Sequence, residues 1–137
     1  MRLDSQAVSR AAKALGIADA DLTDLKVDNK EIKEFEAGLL GDTCPHLVSV
    51  NLSFNRIGPG VAGLLDSCDC LQRINLMHNR ISTLASLLPS LASAAGVVTL
   101  NLSSNEISDL SPLSGASGLV QLWLNNNRIG SLSQLHS

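Results

Sequence analysis

The sequence predicts an α/β solenoid in which short parallel strands line a concave face and short α- or 3₁₀-helical connections form the convex face. An apolar pattern recurs four times at intervals of 22 to 26 residues, and the chain is 45% hydrophobic but only 2% aromatic. Many small aliphatic layers of similar size therefore fill the core. We expect a right-handed stack of these layers, sealed at its first turn by an N-terminal helix.

Four segments superimpose when they are aligned on an asparagine that follows an apolar alternation. They are LVSVNLSFNRI from Leu47, LQRINLMHNRI from Leu71, VVTLNLSSNEI from Val97 and LVQLWLNNNRI from Leu119. The aligned asparagines lie 24, 26 and 22 residues apart and are Asn55, Asn79, Asn105 and Asn127. A fifth, weaker copy starts at Leu22 and has Lys30 in place of the asparagine. We therefore predict a cap over residues 1–21 and repeats over residues 22–137.

The two-residue alternation of a β-strand explains this pattern. In LxL both apolar side chains lie on one side of a short strand, so both enter the core while the residue between them faces outward. The asparagine follows where the chain turns away from the strand. Its amide can bond backbone groups that stacking would otherwise leave buried and unpaired. The aligned asparagines are therefore predicted to form a hydrogen-bonded structural ladder: Asn55, Asn79, Asn105 and Asn127.

The motif LxxLxLxxNxI and its period resemble those of leucine-rich repeat proteins. The stretch GPGVAGLLDSCDC after Ile57 resembles the ribonuclease-inhibitor type of repeat. The compact stretches after Ile107 and Ile129 resemble the 22-residue class of phosphatase-1 regulatory subunits, the leucine-rich dynein light chain and centrosomal and ciliary scaffolds. Apolar spacing predicts helices after Ile57 and Ile81, and 3₁₀ turns in the two compact connections. The resemblance implies a scaffold that binds proteins, with cytoskeletal, ciliary or centrosomal association. The N-terminus lacks the apolar stretch of a signal peptide and the three cysteines form no even framework, so we expect a cytoplasmic protein.

The two ends of the chain differ. At the N-terminus, Asp4 or Ser5 can cap a helix that Gly16 would stop. Its apolar stripe is expected to seal the first repeat and consists of Ala7, Val8, Ala11, Ala12 and Leu15. At the other end the sequence stops at Ser137 without a comparable cap. We expect that end to be covered by a partner or by further repeats of a longer polypeptide.

The outward strand positions form the candidate binding surface, because the resemblance implies a protein partner on the concave face. The residue between the two core positions is Asn51, Asn75, Asn101 or Trp123 in the clear repeats. Trp123 is the kind of large anchor that dominates interfaces. We expect it to be extended into a patch by Phe54, Met77 and His78, with Asn125 on the same strand side. The alternative is that Trp123 packs on Arg128 or on further repeats.

Charge suggests the chemistry of the partner. Beyond residue 45 the basic residues are Arg56, Arg73, Arg80 and Arg128, and all four lie within the repeat motif. The strand-and-turn side is therefore predicted to be basic, which suits an acidic partner segment held by forked arginine hydrogen bonds. The alternative is a solvated edge of charges that pair along the stack.

Several function classes are disfavoured. A net charge of −3 and a pI of about 5.5 lack the basic excess of a nucleic-acid binder. We find no glycine-rich phosphate loop, HExxH or GxSxG motif, so we predict no catalytic residues and no cofactor. Cys68 and Cys70 lack the second pair that a zinc site needs; with Cys44 they are expected to be free thiols. No apolar run approaches the ~20 residues of a membrane span. A regulator of a bound enzyme such as a phosphatase, or the recruiting module of a longer enzyme, remains an alternative function.

Overall fold

The computed structural model describes residues 2–36, 38–58, 70–83, 99–109 and 121–128. The elements in chain order are β1 (Arg2–Leu3), α1 (Ser5–Ala14), a 3₁₀ turn (Asp19–Asp21), β2 (Asp24–Lys26), β3 (Glu34–Phe35), α2 (Leu39–Thr43), β4 (Ser49–Asn51), β5 (Arg73–Asn75), β6 (Thr99–Asn101) and β7 (Gln121–Trp123). Strands β2, β4, β5, β6 and β7 form one parallel sheet in that order. The predicted α/β solenoid is confirmed, and the weak copy from Leu22 supplies its first strand.

The core repeats from one turn of the solenoid to the next. The register pairs Leu25 with Val50, Val50 with Ile74, and Ile74 with Leu100. The isoleucine that ends the motif is also buried at Ile57, Ile81 and Ile107. Equivalent residues therefore stack on one another, and each aliphatic layer closes the core of its neighbour. Two-residue periodicity predicted this inward set correctly because a three-residue strand leaves only its central residue facing the core.

Helix α1 contacts β2, the first strand of the large sheet, and Gly16 stops it as predicted. Asp4 caps it, accepting a hydrogen bond from the Ala7 N–H at 3.0 Å. At its C-terminus the Gly16 N–H donates to the Lys13 carbonyl and the Ile17 N–H to the Ala12 carbonyl, each at 3.0 Å. This pair of bonds is a Schellman motif, for which Gly16 has a φ of +71°.

The prediction that Leu15 belongs to the sealing stripe is wrong. The other four members of that stripe are buried or half-buried, whereas Leu15 is 61% exposed. The helix ends at Ala14, and Leu15 is already its C-cap. The Schellman turn leads the chain away there, so helical periodicity no longer decides which way that side chain points.

A second, two-stranded sheet was not predicted from the sequence. Its strands β1 and β3 pair in parallel, with Arg2 opposite Glu34 and Leu3 opposite Phe35. Leu3 is fully buried, and Leu39 and Leu40 of α2 join the same core. The N-terminal cap is therefore a helix, a short strand and α2 together. Strands of two residues carry too little alternation to be recognised in sequence.

The helices and 3₁₀ turns predicted after Ile57, Ile81, Ile107 and Ile129 lie outside the described residues, as do Cys68 and the C-terminal end. Among the helices that are described, none is long and apolar enough to cross a membrane.

Cys44 lies at the end of α2 in the core and is fully buried, whereas Cys70 is exposed; both thiols are free. Burial, and secondarily the negative charge of Asp19, raises the pKa of Cys44 from 9.0 to about 11. A thiol with a raised pKa is held in its neutral form by the folded state. In the unfolded chain it ionises first as pH rises, so the fold loses stability between these two values.

The stability of the wild type relative to Cys44→Ala should therefore depend on pH. The difference in unfolding free energy is expected to be constant below pH 9 and then to shrink by about 1.4 kcal/mol per pH unit up to about pH 11. Urea denaturation of both proteins from pH 8 to 10.5 measures it. Taking the difference between two variants cancels the titration of lysines. A pH-independent difference would show that Cys44 ionises equally in both states.

Candidate functional site

The outward face of the large sheet forms an open groove of about 470 Å³. We call it the concave groove; its polar lining residues are Asp24, Lys26, Ser49, Asn51, Arg73, Asn75, Thr99 and Asn101, with Trp123 at one end. In β2, β4, β5 and β6 the central residue is buried, and the first and third residues lie in this lining. Asn51, Asn75, Asn101 and Trp123 stand in register on neighbouring strands. The structure thus brings these predicted contact residues to one surface.

The ladder asparagines lie behind this surface and join consecutive repeats. Asn79 donates from Nδ2 to the carbonyls of Leu52 and Leu76, both at 3.0 Å, and its Oδ1 accepts from the Ile57 N–H at 3.0 Å. Asn105 makes the same bonds one repeat further, to Leu76, Leu102 and Ile81. Each amide therefore ties its own turn to the preceding one.

The first and the last of the four ladder asparagines also bond to their neighbouring repeats. Asn55 donates to the Val27 and Leu52 carbonyls and accepts from the N–H groups of Lys30 and Ile32, so it also satisfies the weak first copy. Asn127 bonds Leu102, Leu124 and Ile107 in the same way. No buried side-chain nitrogen or oxygen among the described residues lacks a partner. These four asparagines are structural, because all of their amide groups are engaged internally.

In each asparagine that lines the groove, the side-chain oxygen already has a hydrogen-bond partner within the protein. Asn51, Asn75 and Asn101 accept through Oδ1 from the N–H two residues further on, at 3.0, 3.0 and 3.1 Å. Such Asx turns bend the chain out of the strand, a role that the sequence analysis missed. The Nδ2 groups of Asn51 and Asn75 make no hydrogen bond within the described part of the chain, while that of Asn101 reaches the Met77 sulfur at 3.9 Å. The groove therefore offers donors rather than acceptors at its centre.

Trp123 ends the row of asparagines and is 39% exposed. Its carbonyl accepts from the Leu102 N–H at 2.8 Å, which keeps the strand in the sheet while the indole faces the groove. Arg128, which was considered as its packing partner, instead forms an ion pair with Glu106 at 3.3 Å. An amphipathic ring of this size on an otherwise polar face is a candidate anchor.

Phe54 and His78 lie outside the concave groove and stack on each other, with ring centroids 4.9 Å apart and planes inclined by 20°. The single patch that we expected around Trp123 is therefore split into two surfaces. Met77 also lies outside the groove lining and is half-buried, and Asn125 is exposed beyond the end of β7. Phe54 lies in the turn directly before Asn55, beyond the end of β4, and therefore outside the strand positions that line the groove.

The residue before each ladder position has a left-handed backbone, which sequence reasoning also missed. The φ values are +54° to +59° at Asn29, Phe54, His78, Ser104 and Asn126. Asparagine tolerates this conformation well, whereas a bulky residue there is a genuine outlier. Such a residue costs on the order of 1 kcal/mol. In the sequence, Asn29 and Asn126 at this position were the available indication of a left-handed turn.

The four arginines fall into two groups. Arg56 pairs with Glu31 at 3.4 Å and Arg128 pairs with Glu106, so the predicted alternative of pairing along the stack holds for these two. Arg73 in the groove and Arg80 in the turn after β5 form no ion pair within the described ranges. Exposed pairs contribute little to stability, so all four guanidinium groups remain accessible to an acidic ligand.

Models of leucine-rich repeats match two parts of the sequence: a two-copy model covers residues 96–135, and a single-repeat model covers residues 43–60. Together with the parallel sheet and the asparagine ladder, these matches show leucine-rich repeats in this chain. They do not separate the 22-residue class from the ribonuclease-inhibitor type. Leucine-rich repeat domains generally mediate protein–protein interactions. Within the described residues no group of three or more histidine, cysteine or acidic side chains can hold a metal ion.

Solved structures of two internalins from Listeria monocytogenes have a similar fold. One (inlF) is 20% identical with a TM-score of 0.67, and the alignment covers 97% of this chain and 34% of that one. The other, internalin C2, is 24% identical with a TM-score of 0.66, and the alignment covers 85% of this chain and 47% of that one. At these identities the likeness establishes the fold alone. A search of curated proteins finds no match.

Proposed function

We propose that this chain is a protein-interaction module that holds a partner in the concave groove and thereby acts as a scaffold. The observation that carries the proposal is the combination of free side-chain donors with an exposed tryptophan on one open surface. The side-chain amides of Asn51 and Asn75 present free Nδ2 donors while their oxygens are already occupied, and Arg73 lines the same groove from β5. Trp123 supplies the apolar contact area that dominates binding energy in typical interfaces.

The partner segment that suits this groove carries oxygen acceptors, either backbone carbonyls or carboxylates. Lys26 and Arg73 add two cations against the single carboxylate of Asp24 in the lining. A carboxylate held by Arg73 can receive two parallel hydrogen bonds, which fixes its orientation. An acidic partner segment is therefore favoured over a basic one. We further propose a reducing compartment such as the cytoplasm, which the free thiols Cys44 and Cys70 support.

Affinity capture from cell extract with three baits tests the groove as the binding site. The baits are the wild type, the groove variant Arg73→Ala with Trp123→Ala, and a control, Arg10→Ala with Lys13→Ala, whose exposed side chains lie on α1. Proteins identified by mass spectrometry should be retained by the control and lost from the groove variant. All baits should unfold at the same temperature, because neither pair is buried. Identical protein sets on all three baits would place binding elsewhere.

A further inference from the structure

The turns that follow β4 and β5 carry an exposed aromatic pair outside the concave groove. Phe54 is 46% exposed and stacks on His78, which is also exposed. Both residues have left-handed φ values, +56° and +59°. The same position holds Asn29, Ser104 and Asn126 in the other repeats, so the fold requires only a small polar residue there. Two strained, solvent-exposed rings therefore point to a ligand contact rather than to a folding role.

Two arginines accompany the rings. Arg56 and Arg80 each follow two residues after a ring and are exposed. The Arg80 N–H donates to the Ile57 carbonyl at 2.9 Å, so the second turn stacks directly on the first. Arg80 has no ion pair within the described residues, and the Arg56 pair with Glu31 is exposed at both ends. An incoming carboxylate can therefore engage both guanidinium groups at little cost.

We propose that Phe54, His78, Arg56 and Arg80, here called the aromatic rim, bind an acidic peptide segment that carries an aromatic side chain. The carboxylates pair with the guanidinium groups, and the ring packs on the exposed part of Phe54. Single-stranded nucleic acid uses similar surfaces, but its binding requires many basic groups along the phosphate backbone. A net charge of −3 and a pI of about 5.5 lack that basic excess, whereas a short acidic peptide needs only the two arginines. None of the four residues lines the concave groove, so this surface is additional to the proposed function.

A random dodecapeptide phage library selected on the full chain tests the aromatic rim. The counter-selection variant is Phe54→Asn with His78→Asn, which installs the residue that Asn29 and Asn126 show to suit this backbone. Enriched peptides are expected to combine aspartate or glutamate with an aromatic residue. Their dissociation constants, measured by fluorescence anisotropy, should rise at least about tenfold on this variant and on Arg80→Gln, and should rise with salt.

The controls separate the aromatic rim from the groove and from unfolding. The variant Trp123→Ala should bind the same peptides as tightly as the wild type, and the double asparagine variant should melt no lower than the wild type. The proposal is overturned if nothing is enriched, if the peptides lack acidic or aromatic residues, or if the asparagine variant binds them equally. It is also overturned if an oligouridylate probe binds the aromatic rim more tightly than the best peptide.

Discussion

Replacing Asn79 by leucine is expected to destabilise the fold by about 3 to 5 kcal/mol. The Asn79 amide bonds the Leu52 and Leu76 carbonyls and the Ile57 N–H in a buried part of the stack. Leucine fills a similar volume but leaves the Ile57 N–H without a partner, which costs roughly 1 to 3 kcal/mol. It also removes one of the two side-chain donors of each carbonyl, at roughly 0.5 to 1.5 kcal/mol apiece, because Asn55 still donates to Leu52 and Asn105 to Leu76. Since a domain is stable by only about 5 to 15 kcal/mol, this single change removes a large share of the total.

Thermal denaturation followed by circular dichroism checks this expectation. At roughly 3 °C per kcal/mol for a domain of this size, the melting temperature should fall by about 10 °C or more. The matched control is Asn125→Leu, which changes an exposed asparagine whose side chain makes no hydrogen bond within the described residues. It should melt within a few degrees of the wild type. Equal melting temperatures for both variants and the wild type would show that the ladder amides do not stabilise the stack.

Replacing Trp123 by alanine is expected to weaken partner binding about thirtyfold while leaving the fold intact. Truncation of a hot-spot tryptophan costs roughly 2 kcal/mol or more, and each 1.4 kcal/mol changes affinity about tenfold. Trp123 is 39% exposed and is not part of the buried core, so the fold should tolerate the loss of its indole. The backbone bond from Leu102 to the Trp123 carbonyl does not depend on the side chain.

Isothermal titration calorimetry with a partner recovered by the capture experiment measures this loss. The control is Gln121→Ala, which removes an exposed side chain at the other end of the same three-residue strand. Its dissociation constant should change less than about threefold, since most interface residues contribute little. If Trp123→Ala binds as tightly as the wild type, the anchor of the groove is another residue, and Arg73 is the next to test.

Much of the candidate site was predictable because a solenoid places residues that recur at the repeat period next to one another in space. Residues at equivalent positions of consecutive repeats meet at the strand spacing of about 4.8 Å. Asn51 and Asn75 are in register for that reason. By the same rule Phe54 and His78, which hold the same position in consecutive repeats, stack on each other rather than on Trp123.

Other features depend on which neighbouring group a side chain contacts, and the repeat period does not specify that contact. Arg56 and Arg80 occupy the same column, but Arg56 pairs with Glu31 in the preceding turn, whereas Glu106 in the turn after Arg80 pairs with Arg128. The Asn51 oxygen bonds its own chain two residues on, which leaves only its nitrogen for a partner. These differences decide the donor and charge pattern of the groove and of the aromatic rim.

The sequence by itself determined the inward-facing aliphatic layers and the positions of the ladder asparagines. It could do so because each repeat contacts only its neighbours, so local pattern and global packing coincide. The tertiary structure alone decided that Leu15 escapes the cap, that Cys44 is buried beside Asp19, and that the aromatic residues form two surfaces. Those outcomes follow from a Schellman turn, a contact between distant segments and the direction in which individual side chains leave the backbone, which the apolar repeat pattern does not specify.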